Sequence, residues 1–211
     1  MVQSFNIDAA NPGNDVAITI TDAAGRIAQP VSATTLITGG VSAGNKTLQL
    51  VPNFATNLES LVVRIDFNYP AGVRGVNFFI HDIDGSLSSR QEEVRDISAT
   101  GDTLPNFPPT QLRPLSASPT FQITGTGLGQ LLTATSQAND ATNTGSASVS
   151  FGTQLIPTAT FRSGAATTGN FDPIDGGIAL GNITYDNVPE PAAGVLLLSA
   201  ISLASFRRRT K

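Results

Sequence analysis

Cysteine and tryptophan are absent from this chain of 211 residues, and histidine occurs once, as His81. The lack of cysteine excludes disulfides, a thiol nucleophile and a structural zinc site, and a single histidine excludes a multi-histidine metal site. A chain of this length can still bury enough surface to fold without cross-links. We therefore expect a fold that is stabilised by its hydrophobic core.

Charged residues are also scarce, at 13% of the chain, and they are unevenly distributed. Four of the 12 basic residues lie in the last five positions, which leaves 12 − 4 = 8 basic residues against 16 acidic ones in the remainder, a charge of about −8. A body this acidic repels phosphate backbones, so we expect no nucleic-acid partner.

Apolar and polar residues alternate in SLVVRIDFNY, as expected for a half-buried strand. Its apolar face comprises Leu61, Val63, Ile65, Phe67 and Tyr69. The turn residues PAGVRG follow, and VNFFIHDID then repeats the alternation. Two matched strands around a Pro/Gly turn predict an antiparallel hairpin.

Other short alternating pieces recur between Gly, Pro, Asn and Asp clusters, and a helical period is not evident in residues 1–187. This pattern predicts an all-β body over residues 1–187, a two-sheet antiparallel β-sandwich of the jelly-roll kind. The proline-rich LPNFPPTQLRPLSASP is predicted to be a surface loop, and IALGNITY a strand within a sheet.

Residues 188–211 form a segment of different composition. Residues 192–206 contain no charge, and as a single helix they would span about 22 Å, against roughly 30 Å for the hydrocarbon core of a bilayer. Residues 207–211 are basic, and the positive-inside rule places them in the cytoplasm. We expect a C-terminal hydrophobic helix in the cytoplasmic membrane; the alternative is an amphipathic helix docked on the sandwich.

The residues of this tail carry a family resemblance. Val188, Pro189, Glu190 and Pro191, then the apolar stretch, then the cluster of Arg207, Arg208 and Arg209 resemble the PEP-CTERM sorting signal of Gram-negative bacteria. The resemblance implies that an exosortase, a transpeptidase-like membrane enzyme, recognises the Pro-Glu-Pro motif. It also implies that the arginines act as a topological stop and that the processed body reaches the cell surface.

The other end of the chain departs from the family pattern. MVQSFNIDAANPGNDVAITI has neither the basic nor the apolar region of a secretory signal, so we expect that the signal peptide is missing from the given start.

The segments FFIHDID and GGIALGNITYDNVPEP also loosely resemble β-sandwich domains of bacterial surface proteins. The resemblance of the tail implies an exported surface or extracellular-matrix protein associated with exopolysaccharide.

One polar group favours a metal ion. Asp82 and Asp84 are two residues apart, and on an extended segment their carboxylates project to the same side. Joined by Asp96, they would offer hard oxygen ligands for Ca²⁺. The alternative is that Asp84 belongs to an ordinary turn. Asp172 and Asp175 in FDPIDGG form a weaker second candidate.

Catalytic signatures are missing from the sequence, which contains no G-x-S-x-G elbow. A serine triad would have to use His81 beside Asp82, and we predict that the body is not an enzyme. Two alternatives stay open: a carbohydrate-binding or Ca²⁺-stabilised adhesion module, and the remnant of a larger secreted enzyme. The first requires aromatic side chains on the surface, and Tyr69 and Tyr185 are the only tyrosines.

Overall fold

The structure is a computed structural model, and it describes residues 1–5, 15–27, 32–34, 47–86, 90–101, 105–166 and 177–188. Most of the predicted sorting tail lies outside these ranges, as do Asp172 and Asp175. Within them the only helical element is a 3-10 turn, Gly127–Gly129. In this part of the chain no helix is both long and apolar enough to cross a bilayer.

The described residues form two antiparallel sheets, which confirms the all-β sandwich predicted from the alternating pattern. The first sheet contains β1 (Val2–Phe5), β2 (Val16–Thr21), β5 (Ser60–Phe67), β7 (Gly85–Ser86), β8 (Arg90–Thr100), β10 (Phe121–Thr124), β11 (Leu131–Ala134) and β13 (Thr158–Ala165). The second sheet contains β3 (Ser32–Thr34), β4 (Thr47–Leu50), β6 (Val73–His81), β9 (Gln111–Pro114), β12 (Ala147–Ser150) and β14 (Ile178–Asn187).

The last two strands of the body lie inside the sheets. In the first sheet the order is β1-β2-β5-β13-β8-β11-β10, so β13 lies between β5 and β8. In the second the order is β3-β4-β14-β6-β12-β9, so β14 lies between β4 and β6. The prediction that IALGNITY is a strand within a sheet is confirmed.

The core lies between the sheets, where the inward-facing residues of each strand meet. The apolar face predicted for β5 is buried, with Leu61, Val63 and Ile65 fully inaccessible. Phe78 of β6 stacks on Phe161 of β13 with ring centroids 5.9 Å apart, which joins the two sheets at their centres. The same alternation leaves the other side of each strand facing outward.

The predicted hairpin between β5 and β6 is wrong, because β5 belongs to the first sheet and β6 to the second. Residues 68–72 cross from one sheet to the other, and the two apolar faces meet across the core. At the crossing, Tyr69 Oη lies 3.1 Å from Tyr185 Oη of β14. Alternation specifies which face is buried but not which strand is the neighbour, so it fits both arrangements.

The proline-rich segment also differs from its prediction, because it contains β9 instead of being a loop throughout. β9 pairs only with β12 and therefore forms an edge of the second sheet. Pro114 is its last residue. An edge strand tolerates proline, since only one side of the strand needs N–H donors.

Candidate functional site

Asp82 and Asp84, two of the three predicted calcium ligands, follow the end of β6. Asp82 has a φ of 64°, so the chain turns there and the extended geometry assumed for the pair is absent. Asp84 is buried, and its Oδ2 accepts a hydrogen bond of 3.2 Å from the backbone N of Ala138. Its own backbone N donates to Glu92 Oε2 at 3.1 Å. Asp84 thus attaches this loop to β8.

Asp96, the third predicted ligand, lies four residues beyond Glu92 on β8, which is about 13 Å along a strand. Its Oδ2 is 3.1 Å from Nε of Arg162, with which it forms an ion pair. Within the described ranges, no three acidic, histidine or cysteine side chains are grouped so as to hold a metal ion. The three predicted ligands therefore do not come together. Asp84 is bonded to β8 at Glu92, whereas Asp96 lies four residues further along the same strand.

His81 ends β6 and is fully buried, as is Ser146, whose Oγ lies 2.9 Å from His81 Nδ1. His81 Nε2 has no hydrogen-bond partner in the described part of the chain. Burial lowers the pKa of His81 to about 4, so the imidazole is neutral near pH 7. Gly181 of β14 packs against the ring, and a Cβ there would lie 2.7 Å from Cδ2. A substrate has no access to this serine–histidine pair.

A cleft of about 320 Å³ opens on the outward face of the first sheet. Its floor consists of outward side chains from three adjacent strands: Val62 on β5, Thr160 and Arg162 on β13, and Ser98 on β8. Asn106 and Leu128 also line it, the latter on the 3-10 turn, which contacts β8. Ser98 Oγ and Thr160 Oγ1 are 3.0 Å apart, so the floor is hydrogen-bonded across the strands.

Asp96 reaches this cleft through a β-bulge. The register shifts so that Ser98 opposes Thr160 while Arg95 opposes Arg162, which leaves Asp96 and Ile97 together opposite a single residue of β13. Asp96 has a φ of 53°, in the left-handed region that residues other than glycine rarely adopt. Bulges redirect side chains in this way and are frequent beside functional sites.

The charges around the cleft are balanced. Three guanidinium–carboxylate pairs lie along this face: Arg64 with Asp66 at 2.7 Å, Arg95 with Glu93 at 2.6 Å, and Arg162 with Asp96 at 3.1 Å. The pair within the cleft is open to solvent, with side-chain exposures of 48% for Arg162 and 62% for Asp96. The cleft therefore offers both hydrogen-bond donors and acceptors with little net charge.

Sequence reasoning chose Asp96 for a metal site and missed its neighbours in the cleft. Alternation in β5 does place Val62 on the outward face, and the glycines of GTGLGQ do indicate a turn around Leu128. The alignment of β13 between β5 and β8 brings these distant segments together, and no local pattern specifies it.

No protein-family model and no curated protein sequence matches this chain. One similar solved structure is the enzymatically active domain of tailspike protein 4 from bacteriophage CBA120. The likeness covers 82% of this chain and 19% of that chain, at 10% sequence identity and a TM-score of 0.31. At this level it establishes neither a family nor an activity.

Proposed function

We propose that this protein is exported and sorted to the cell surface or extracellular matrix through residues 188–211, and that its β-sandwich body is not catalytic. One observation carries the proposal. Pro189, Glu190 and Pro191 precede an uncharged apolar stretch and then three consecutive arginines. This order resembles the PEP-CTERM sorting signal, and its implied partner is an exosortase-type enzyme of the cytoplasmic membrane.

The end of β14 supports the proposal. β14 finishes at Asn187. The motif begins at the next residue, Val188, and continues with Pro189. Within β14, the pairing with β4 covers Ile178, Ala179 and Leu180, whereas the pairing with β6 continues to Asn187. An enzyme acting at the motif would therefore cut beyond the sheet, and the body would keep all its strands.

Each part of the tail has a role in this proposal. Residues 192–206 form the hydrophobic helix that holds the chain in the membrane, and Arg207 to Arg209 keep the basic end in the cytoplasm. Pro189 to Pro191 form the recognition motif on the outer side. The body, which we take to be jelly-roll-like, is then released or transferred to the surface, where extracellular polysaccharide is the expected surrounding.

The buried state of His81 and Ser146 supports a body without catalysis, since the only histidine is out of reach of a substrate. The open cleft offers polar side chains that can donate and accept hydrogen bonds. Binding is the activity that its geometry favours.

Peptide mass spectrometry on the surface and extracellular fractions of the native host tests the sorting proposal. We expect a mature C-terminus near Pro189 to Pro191, with the basic end absent. Glu190→Ala should leave the chain unprocessed in the membrane fraction, while the matched control Asn187→Ala, exposed at the end of β14, should be processed normally. An intact Lys211 in the wild-type membrane fraction would mean a plain anchor and overturn the proposal.

A further inference from the structure

We propose that the cleft around Asp96 and Arg162 binds a neutral saccharide, whose hydroxyl groups bond to these two side chains and to Asn106. The inference is independent of the sorting tail, because it rests only on residues of the body. It names a ligand class for a site that sorting does not require.

The size and position of the cleft fit a small polar ligand. Its volume of about 320 Å³ lies at the lower end of the roughly 300–1,000 Å³ that is typical of small-molecule sites. The floor is a hydrogen-bonded sheet, which holds Thr160 and Ser98 at fixed spacing. Asn106 and Leu128 also line the cleft, so a ligand on this floor would have both an amide and an aliphatic side chain within it.

The hydrogen-bonding groups match a polyhydroxylated ligand. A carboxylate only accepts hydrogen bonds, a guanidinium only donates them, and an amide does both. Asp96, Arg162 and Asn106 supply these three kinds of group to one cleft. Each sugar hydroxyl both donates and accepts, so neighbouring hydroxyls can satisfy the carboxylate and the guanidinium together.

The balance of charge selects a neutral ligand over an anionic one. A site for phosphate or a uronic acid would present an arginine without a competing carboxylate. Here Asp96 lies 3.1 Å from the Nε of Arg162, and an incoming anion would meet this carboxylate. The neighbouring pair of Arg64 and Asp66 adds no excess positive charge.

Backbone strain at Asp96 also points to ligand binding. An aspartate with φ of 53° is held in a conformation that costs free energy, and such residues persist where the surrounding structure enforces them. The bulge is that structure, and it directs an exposed carboxylate into the cleft instead of into the regular row of the strand. The ion pair alone does not require this geometry, because Arg64 and Asp66 form theirs within a regular strand.

Apolar contact, for which the sequence-based expectation is surface aromatic side chains, is supplied in this cleft by aliphatic ones. Leu128 is 43% exposed at the tip of its turn, which Gly125 and Gly127 form with positive φ angles. Together with Val62 it offers a small apolar surface for the C–H side of a sugar ring. The two tyrosines are not available for this purpose, since they contact each other at the crossing between the sheets.

The test uses the full chain in a sugar-free zwitterionic detergent, because glycoside detergents would compete for the cleft. Short neutral oligosaccharides of glucose, mannose and galactose are titrated by calorimetry, with an oligogalacturonate as the acidic counterpart. We expect at least one neutral series to bind with a Kd of roughly 1 mM or tighter. Amide NMR shifts should map to Asn106, Leu128 and Thr160.

Two substitutions locate the site and test its charge balance. Arg162→Gln should weaken neutral binding by about tenfold or more, because the guanidinium donors are lost. Asp96→Asn preserves the left-handed conformation, which asparagine tolerates, and frees Arg162 for anions. This variant should bind the neutral sugar more weakly and the oligogalacturonate more tightly. Arg64→Gln removes a matched arginine outside the cleft and should leave binding unchanged.

Three outcomes would overturn the proposal. The first is no binding of any neutral oligosaccharide to the wild-type chain. The second is tighter wild-type binding of the oligogalacturonate, which would assign the cleft to anionic ligands. The third is an equal loss in Arg64→Gln and Arg162→Gln, which would place the sugar elsewhere on the sheet. None of them bears on processing of the tail, so the two proposals fail separately.

Discussion

Two acidic residues on β8, only four positions apart, have opposite surroundings. Glu92 is buried, and its two carboxylate oxygens accept hydrogen bonds from the backbone N of Asp84 and of Gly177. Asp96 is mostly exposed and shares an open ion pair with Arg162. The first holds three chain segments together, and the second is available to a ligand. Glu92 and Asp96 are both carboxylates on the same strand. The difference in their exposure therefore comes from the chain segments that pack over each position.

Amide substitutions of these two carboxylates should give the largest contrast in unfolding free energy. Glu92→Gln leaves one acceptor oxygen for two backbone donors and turns an amide N–H₂ toward the other donor, so we expect a loss of about 3 kcal/mol in unfolding free energy. Asp96→Asn should change it by less than about 0.5 kcal/mol, since exposed ion pairs contribute little. Urea denaturation of both variants measures the contrast, and equal effects would contradict the comparison.

Adding a methyl group beside the buried His81 should also lower the unfolding free energy. In Gly181→Ala the new Cβ would lie 2.7 Å from Cδ2 of the fully buried His81 ring, which is closer than van der Waals contact allows. Such overpacking typically costs about 2–3 kcal/mol. Gly129→Ala is the matched control, because a Cβ at that exposed turn meets no atom within 4 Å. Its unfolding midpoint in urea should stay close to that of the wild type, and a similar loss in both variants would show that the His81 contact is unimportant.

Mild acid should lower the stability of the fold through the buried His81. The pKa of His81 is about 4 in the folded chain, below its ordinary value of 6.5, so protonation favours the unfolded state. Stability from the neutral imidazole is complete above about pH 6.5 and falls as the pH drops toward 4. Between pH 7 and pH 5 we expect a loss of about 2 kcal/mol, measured by urea denaturation at each pH.

The carboxyl of Glu59 titrates below this window. The Arg26 guanidinium bonded to Glu59 lowers the pKa of that carboxyl below its usual 4.5, so its contribution is lost only at lower pH. Because His81 is the only histidine, its imidazole resonance can be followed by NMR without ambiguity. A folded-state midpoint near 6.5 would contradict the prediction, and Ser146 and Gly181 would then not pack against the ring as described.

Local pattern predicted the strands well and their partners poorly. The alternation around Leu61 and Ile65 identified β5 and its buried face, because burial of one face imposes a period of two residues. It did not reveal that β5 pairs with β2 and β13, which are distant in sequence. Pairing depends on contacts between distant segments, and nothing in a short window encodes them.

The same limit applies to the site. The sequence suggests Asp84 and Asp96 as joint ligands because both are carboxylates that could meet from neighbouring strands, yet one is a buried structural acceptor and the other lies in an open cleft. The bulge that directs Asp96 depends on the register between β8 and β13. A sequence window around Asp96 contains neither Thr160 nor Arg162, so the cleft could be recognised only after the sheet was assembled.

The central positions of β13 and β14 have a consequence for the life of the nascent chain. Both strands are made last, yet each sheet needs one of them to join its two halves. Until residue 187 has been made, the nascent chain lacks the complete strand that joins β4 to β6. The unpaired edges of such strands can pair with other chains. We therefore expect the two sheets to be completed only once β13 and β14 have been made. A product that ends before β13 would keep the edges of β5 and β8 open, and we expect it to associate with other chains.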